Sequence, residues 1–128
     1  MKSPDKNRQF AGRRYINLET YTKSGKPRLT PVLSLEHEGV LYVRTGATKW
    51  KVKRIRRNPR VRVVPCDSKG RPNGTWVEGE ARIVEGKERE RVMARFKEEF
   101  GTVGDLLRKA AYRLFRGEPM TTVISIRL

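Results

Sequence analysis

Residues Leu41–Val64, LYVRTGATKWKVKRIRRNPRVRVV, decide how the chain is read. Leu41, Tyr42 and Val43 form a compact apolar run that suits a buried strand. Thr45, Gly46, Ala47 and Thr48 break that run with small, hydroxyl-rich residues. Basic residues then crowd in at Lys49, Lys51, Lys53, Arg54, Arg56, Arg57, Arg60 and Arg62. Val52 and Ile55 lie three apart, so a short helix there turns both inward and its cations outward. Asn58-Pro59 ends the helix, because proline disfavours the helical conformation of the residue before it. A loop of hydroxyls and backbone N–H groups beside dense cations suits a phosphate or another polyanion. The same spacing also fits a plain solvated cationic helix face.

Working outward, Tyr15–Thr22 alternates as a half-buried strand, and Lys23–Pro27 is a turn by composition. Arg28–Leu35 returns as the second strand of a hairpin, with Pro31 expected where no ladder bond is needed. Glu36–Gly39, carrying an exposed turn histidine at His37, leads into a third strand over Val40–Arg44. Beyond the basic helix, Arg60–Cys66 reads as a strand whose Pro65 marks an edge or a bulge. Asp67–Gly74 is a loop, and Thr75–Glu85 is a long strand in which Gly79 permits a bulge or a close backbone approach. Two helices are predicted next. Lys87–Phe100 carries Val92, Met93, Phe96 and Phe100 on one face and stops at Gly101. A second, capped by Thr102 and Asp105, runs to Phe115 and ends at Gly117 and Pro119. Met120–Arg127 is the last strand. Residues 1–13 are polar and basic and read as a loose arm or a short entry segment. Short-linked strands imply an antiparallel sheet, and closing it removes exposed edges. The expected fold is therefore mainly β: one domain over residues 1–128, a six-stranded antiparallel barrel with packed helices.

Composition narrows the function. The net charge is +16, which fits a nucleic acid, an anionic cofactor with a phosphate and an acidic tail, or a generally basic proteome that needs no ligand. One cysteine, Cys66, excludes an internal disulfide framework and fits a reducing cytoplasm; it reads as a small, partly buried filler. One histidine excludes a histidine-rich metal site. No apolar run reaches the roughly 20 residues that span a bilayer, and the N-terminus lacks a signal-peptide pattern, so a cytoplasmic protein with no membrane partner is expected. No covalent nucleophile, acid/base dyad, metal spacing or nucleotide-fold glycine fingerprint is visible, so catalytic residues remain unassigned. That pattern is consistent with a cofactor that carries the chemistry itself.

The runs R-x-T-P-V at Arg28–Val32, Y-V-R-T-G at Tyr42–Gly46, K-V-K-R-I-R-R-N-P-R-V at Lys51–Val61 and W-V-E-G-E-A at Trp76–Ala81 carry a resemblance. The chain resembles the split-barrel flavin and deazaflavin family of pyridoxamine 5'-phosphate-oxidase-like proteins. Within it, the chain most resembles the branch that binds the deazaflavin coenzyme F-420. The resemblance implies the FMN-binding type of split barrel, a homodimer with the cofactor at the subunit interface, and hydride transfer to a small-molecule substrate. F-420 is the expected cofactor and FMN the alternative.

By that resemblance Lys51 matches the lysine that contacts the cofactor phosphate, and Thr45 the hydroxyl at the end of the preceding strand. Arg44 and Gly46 belong to the same matching run. Arg28, Thr30, Pro31 and Val32 match the strand that lines the ring system. Lys49 and Trp50 depart from the family's pattern, which prefers serine and glycine or arginine there; Trp50 could cover the cofactor or fill a dimer contact. Trp76 is a stacking residue, a partner-subunit wall or a core tryptophan. A rival reading is a basic nucleic-acid-binding barrel without enzymatic activity, using cations near Tyr15, Tyr21 and Trp50 for backbone and bases. A third is a cofactor carrier or a degenerate family member with no turnover.

Overall fold

Alternation along Ile16–Leu18, Val61–Val63 and Ile124–Ile126 drives one face of each strand into a common interior, where all six side chains are essentially fully buried. The computed structural model describes residues 7–12, 14–46, 50–114 and 121–128, with the side chains of 101–114 and of Thr121 left aside. Six strands appear in it: β1 (Tyr15–Tyr21), β2 (Pro27–His37), β3 (Val40–Gly46), β4 (Arg60–Pro65), β5 (Val77–Val84) and β6 (Thr121–Arg127). Helix α1 (Trp50–Arg57) lies between β3 and β4, and α2 (Gly86–Leu114) between β5 and β6. Every strand pairing is antiparallel, and the order β1-β2-β3-β6-β5-β4 closes on itself through β1 and β4. The expected mainly-β, six-stranded antiparallel barrel is thus the observed fold.

Local chemistry sets the corners. β2 and β3 are joined by Glu38-Gly39, with φ of 51° and 80°, the pair of positive values that a two-residue type I′ hairpin demands. His37 is the last residue of β2, opposite Val40, so it borders this turn and does not lie in it. Val52 and Ile55 of α1 point into the barrel core and plug one end, as their spacing predicts. Asn58 then accepts from the Arg60 N–H at 3.1 Å, which turns the chain into β4. At Gly79 an added Cβ would lie 2.9 Å from the Arg127 carbonyl oxygen, so the glycine serves a close backbone approach. Outside the barrel, Val92 and Phe96 of α2 pack on Leu35, Tyr42, Val84 and Val123 to form a second core.

Two expectations are corrected. The helix expected to stop at Gly101 continues, and Gly86–Leu114 is one element. A helical glycine costs only about 1 kcal/mol relative to alanine, and it ends a helix only where the backbone turns left-handed. Of the two readings of the N-terminal residues, the loose arm fails over 7–12, where the chain is a short, anchored entry segment. Phe10 is 1% exposed within the barrel core. Gln9 anchors it, donating to the Thr75 carbonyl at 2.7 Å and accepting from the Thr75 N–H at 2.8 Å. A long-range partner fixed what local polarity suggested was free.

Candidate cofactor site

The barrel is split on one side. The β2–β3 ladder covers only Ser34–His37 against Val40–Val43. Toward the other end, β2 stays paired with β1 down to Pro27, and β3 stays paired with β6 up to Gly46. Continuing the β2–β3 rungs would set Thr45 opposite Val32 and Gly46 opposite Pro31, but those rungs are absent. Two strand edges therefore face each other unpaired among the described residues. They form the lips of an opening.

The chemistry of the β2 lip follows from one bond. The Ser34 N–H donates to the Arg14 carbonyl at 2.8 Å, on the β1 side. Strand alternation then aims Val32, Thr30 and Arg28 at β1, and turns the N–H groups of Leu33 and Leu29 toward the opening. Pro31 falls in the outward set, where its missing N–H breaks no rung, as its place in the strand required. The lip thus offers backbone donors and acceptors to a planar, hydrogen-bonding ligand.

The β3 lip ends in half-buried Thr45, followed by Gly46, and runs toward α1. The first turn of α1 contains no acidic residue, so nothing there opposes an anion. Lys51 is half-buried on that helix. Trp50, 70% exposed, lies under the Lys53 ammonium at 4.7 Å. Lys49 lies outside the described residues.

Not every predicted residue joins this place. The Arg44 guanidinium sits 5.3 Å above the Phe96 ring, against α2 on the outer face. Trp76 lies on another flank, under the Arg62 guanidinium at 4.9 Å. That flank holds a shallow recess of about 210 Å³, lined by Tyr21, Arg60, Arg62, Glu78 and Glu80 among others. Its cations and carboxylates largely answer one another: Arg62 is bound to Glu19, and Arg60 lies 4.0 Å from Glu78. The strand lips, not this recess, are the better fit to a flat anionic cofactor.

A further grouping had no sequence signal beyond the basic run. Arg54 donates from Nε to the Thr20 hydroxyl at 2.8 Å, and Thr20 stands opposite Arg28 across the β1–β2 ladder. Arg57 donates to the Tyr21 carbonyl at 3.4 Å. Burial pushes the Arg54 pKa down, and the charges of Arg28 and Arg57 push it further the same way. Cys66 is buried, with burial raising its thiol pKa, which suits filler and not a nucleophile. Among the described residues no group of three or more His, Cys, Asp or Glu side chains is placed to hold a metal. No helix there is long and apolar enough to cross a membrane.

No curated protein matches the chain. Solved structures do, at identities that establish the fold alone. The heme storage protein HutZ of Vibrio cholerae superposes with a TM-score of 0.72 at 16% identity, over 99% of this chain and 90% of that one. An F-420-H2-dependent reductase, FDR-A, gives 0.61 at 22% identity, over 90% and 95%. A heme-binding protein of Mycobacterium smegmatis gives 0.67 at 16% identity, over 100% of this chain and 52% of that one. The split between β2 and β3 and the basic helix beside it lie within residues 3–127, which match the model of the pyridoxamine 5'-phosphate oxidase family, and the chain belongs to that family.

Proposed function

We propose that the protein is a cofactor-dependent oxidoreductase that holds coenzyme F-420, or FMN in its place, along the β2–β3 opening. The observation that carries this reading is the unpaired edge of β2 over Pro27–Leu33, beside an anion-tolerant helix start. The bound ring would supply the hydride carrier for a small-molecule substrate. The chain's own part is to bind and orient. The Leu29 and Leu33 N–H groups and the neighbouring carbonyls hydrogen-bond the ring's polar edge, and Thr30 and Val32 line its bed with Arg28 at the end. Thr45, Gly46 and Lys51 take the phosphate, with Lys49 adding charge and Trp50 shielding it. The excess of cations favours F-420, whose phosphate and oligoglutamate tail carry more negative charge than FMN. Membership of the family and the likeness to an F-420-H2-dependent reductase support this class. A second copy of the chain completes the site, as the placement of the cofactor at a subunit interface implied by the resemblance requires.

Titration of the purified chain with F-420, FMN and hemin, read by absorbance and fluorescence, tests this. Saturable binding of F-420 at micromolar concentration or below is expected, with FMN weaker. Flat responses to both, beside a saturable hemin band, would sink the reading in favour of the heme proteins that share the fold.

The charge of +16 favours one other reading, a nucleic-acid-binding barrel. Salt separates the two. A nucleic-acid site using most of Lys49–Arg62 loses roughly 1,000-fold in affinity between 50 and 200 mM salt. A single phosphate with a short acidic tail gives a shallower slope.

A further inference from the structure

Three guanidinium groups converge on the turn end of the β1–β2 hairpin. Arg54 reaches it from α1 and is fixed there by its bond to the nearly fully buried Thr20 hydroxyl. Arg28 starts the neighbouring strand, directly opposite Thr20. Arg57, one helical turn beyond Arg54, is tied to the next carbonyl, that of Tyr21. Lys23 and Lys26 sit in the hairpin loop beside them. None of the three arginines makes an ion pair with a carboxylate among the described residues. The neighbouring carboxylate on β1, Glu19, faces the other side of the strand and is already bound twice by Arg62.

Such an arrangement is unfavourable without an anion. Like charges repel, and Arg54 is partly desolvated as well. Salt-bridged arginines elsewhere on this chain, such as Arg62, Arg71 and Arg82, show the usual remedy, a carboxylate at 2.8–2.9 Å. Here the fold uses a tertiary hydrogen bond to hold Arg54 in place, and its terminal nitrogens meet no acceptor among the described residues. Arg54's fork is thereby pre-oriented, and Arg28 and Arg57 flank it with more donors. Planar, multidentate donor sets of this kind match phosphate and carboxylate oxygens.

We infer that Arg28, Arg54 and Arg57, with the Thr20 end of the hairpin behind them, form a binding site for a phosphate- or carboxylate-type oxyanion. It lies on the C-terminal half of α1, away from the Lys51 end that receives the cofactor phosphate in the proposed function. The site itself stands on geometry; only its assignment to the cofactor's acidic tail rests on that proposed function. Two sources of the same chemistry fit: the carboxylates of an oligoglutamate tail, or a separate phosphate-bearing ligand.

The experiment titrates the intact chain with inorganic phosphate at low ionic strength, followed by calorimetry. It compares the parent with Arg57→Gln, Arg28→Gln and Lys97→Gln. The last removes one positive charge from the exposed face of α2 and controls for the general field of a +16 chain. Saturable binding should fall about tenfold in Arg57→Gln and in Arg28→Gln, as for loss of one charge-assisted contact, and stay unchanged in Lys97→Gln. Absence of saturable phosphate binding, or an equal fall in all three variants, overturns the site. Arg54→Lys, which keeps the charge but loses the fork, should also weaken binding; circular dichroism checks that it is folded, and the two exposed arginines keep the test valid if it is not. Competition then names the source. Displacement of phosphate by tailed F-420 but not by F-420 trimmed of its glutamates assigns the tail, and displacement by neither assigns a separate phosphate ligand. Displacement by both merges this place with the Lys51 cradle and overturns a second site. The phosphate titration requires no coenzyme, so failure of the oxidoreductase reading leaves its result intact.

Discussion

Glu19 and Arg62 stand opposite each other in the β1–β4 ladder, and Arg62 grips the Glu19 carboxylate with two bonds, at 2.8 Å from Nε and 3.1 Å from Nη2. Tyr21 adds a third at 2.8 Å through its hydroxyl. Glu19 is 6% exposed, so losing Arg62 leaves a charge in a poorly solvated place. Arg62→Ala is expected to destabilise the fold by about 2–3 kcal/mol, less than for a fully buried pair because the arginine is partly in water. The bonds from Arg62 hold the Glu19 carboxyl below its ordinary value of 4.5, against the opposing pull of burial. A depressed folded pKa stabilises above the unfolded value and is lost as pH falls through the folded one. Melting temperature followed from pH 7 to pH 3 should therefore drop below about pH 4.5, and drop less steeply in Arg62→Ala. Identical slopes in the two proteins would remove Glu19 from the account.

Phe10 is a core residue supplied by a segment with the composition of a tail. Phe10→Ala is expected to cost about 3–5 kcal/mol, the range for emptying a packed aromatic site. Gln9→Ala, which breaks both bonds to Thr75, should cost about 1–2 kcal/mol. Chemical denaturation measures both. A change under 0.5 kcal/mol for Phe10→Ala would show that the segment does not plug the barrel in solution.

Lys51 and Lys53 separate a specific contact from a general field. Lys51→Ala should weaken F-420 binding by roughly 10- to 150-fold, from a charge-assisted contact of about 1.5–3 kcal/mol. Lys53→Ala should cost less than threefold in affinity, since its ammonium rests on the Trp50 ring; the loss of that contact, about 0.5–1 kcal/mol, falls on local helix stability. Fluorescence titration distinguishes them. Equal small effects mean a diffuse basic surface and no phosphate cradle.

Leu29 is 57% exposed on the outer face of β2, in line with Pro31 and Leu33, while Leu35 further along the same face is covered by α2. If a second copy roofs the opening, this is the apolar strip it has to cover. Sedimentation should give a dimer at micromolar concentration, and Leu29→Asp should shift it toward monomer and lower cofactor affinity together. A monomeric parent with full affinity contradicts the dimer; a dimeric Leu29→Asp places the contact elsewhere.

Much of this was legible in the residues. Period-two alternation in Ile16–Leu18 and Val61–Val63 and the three-residue spacing of Val52 and Ile55 announced strands and a plugging helix, because those patterns are consequences of side-chain geometry. Gly79 was legible as a close approach, since a strand glycine usually marks one. Three things were not. Gly101 punctuates helices only through its backbone angle, which composition does not carry. Phe10 and Gln9 are held by Thr75, more than sixty residues away in sequence. The convergence of Arg54, Arg57 and Arg28 depends on how α1 lies across the hairpin, so the run of cations hid which of them share a place. The absent rungs between β2 and β3 are a matter of register alone, and only the resemblance pointed to them.

β6 is threaded between β3 and β5 although it comes after every other strand in the sequence. A nascent chain leaving the ribosome therefore carries five strands with two sticky edges, those of β3 and β5, for as long as residues 121–127 remain in the exit tunnel. Non-local pairing of this kind is slow, and exposed edges invite the wrong partner while it waits. The first five strands should thus need chaperone holding until β6 has cleared the tunnel and can close the barrel. Ribosome-stalled chains probed with protease would show it: the first five strands stay cleavable until β6 emerges, and protection then arrives in one step.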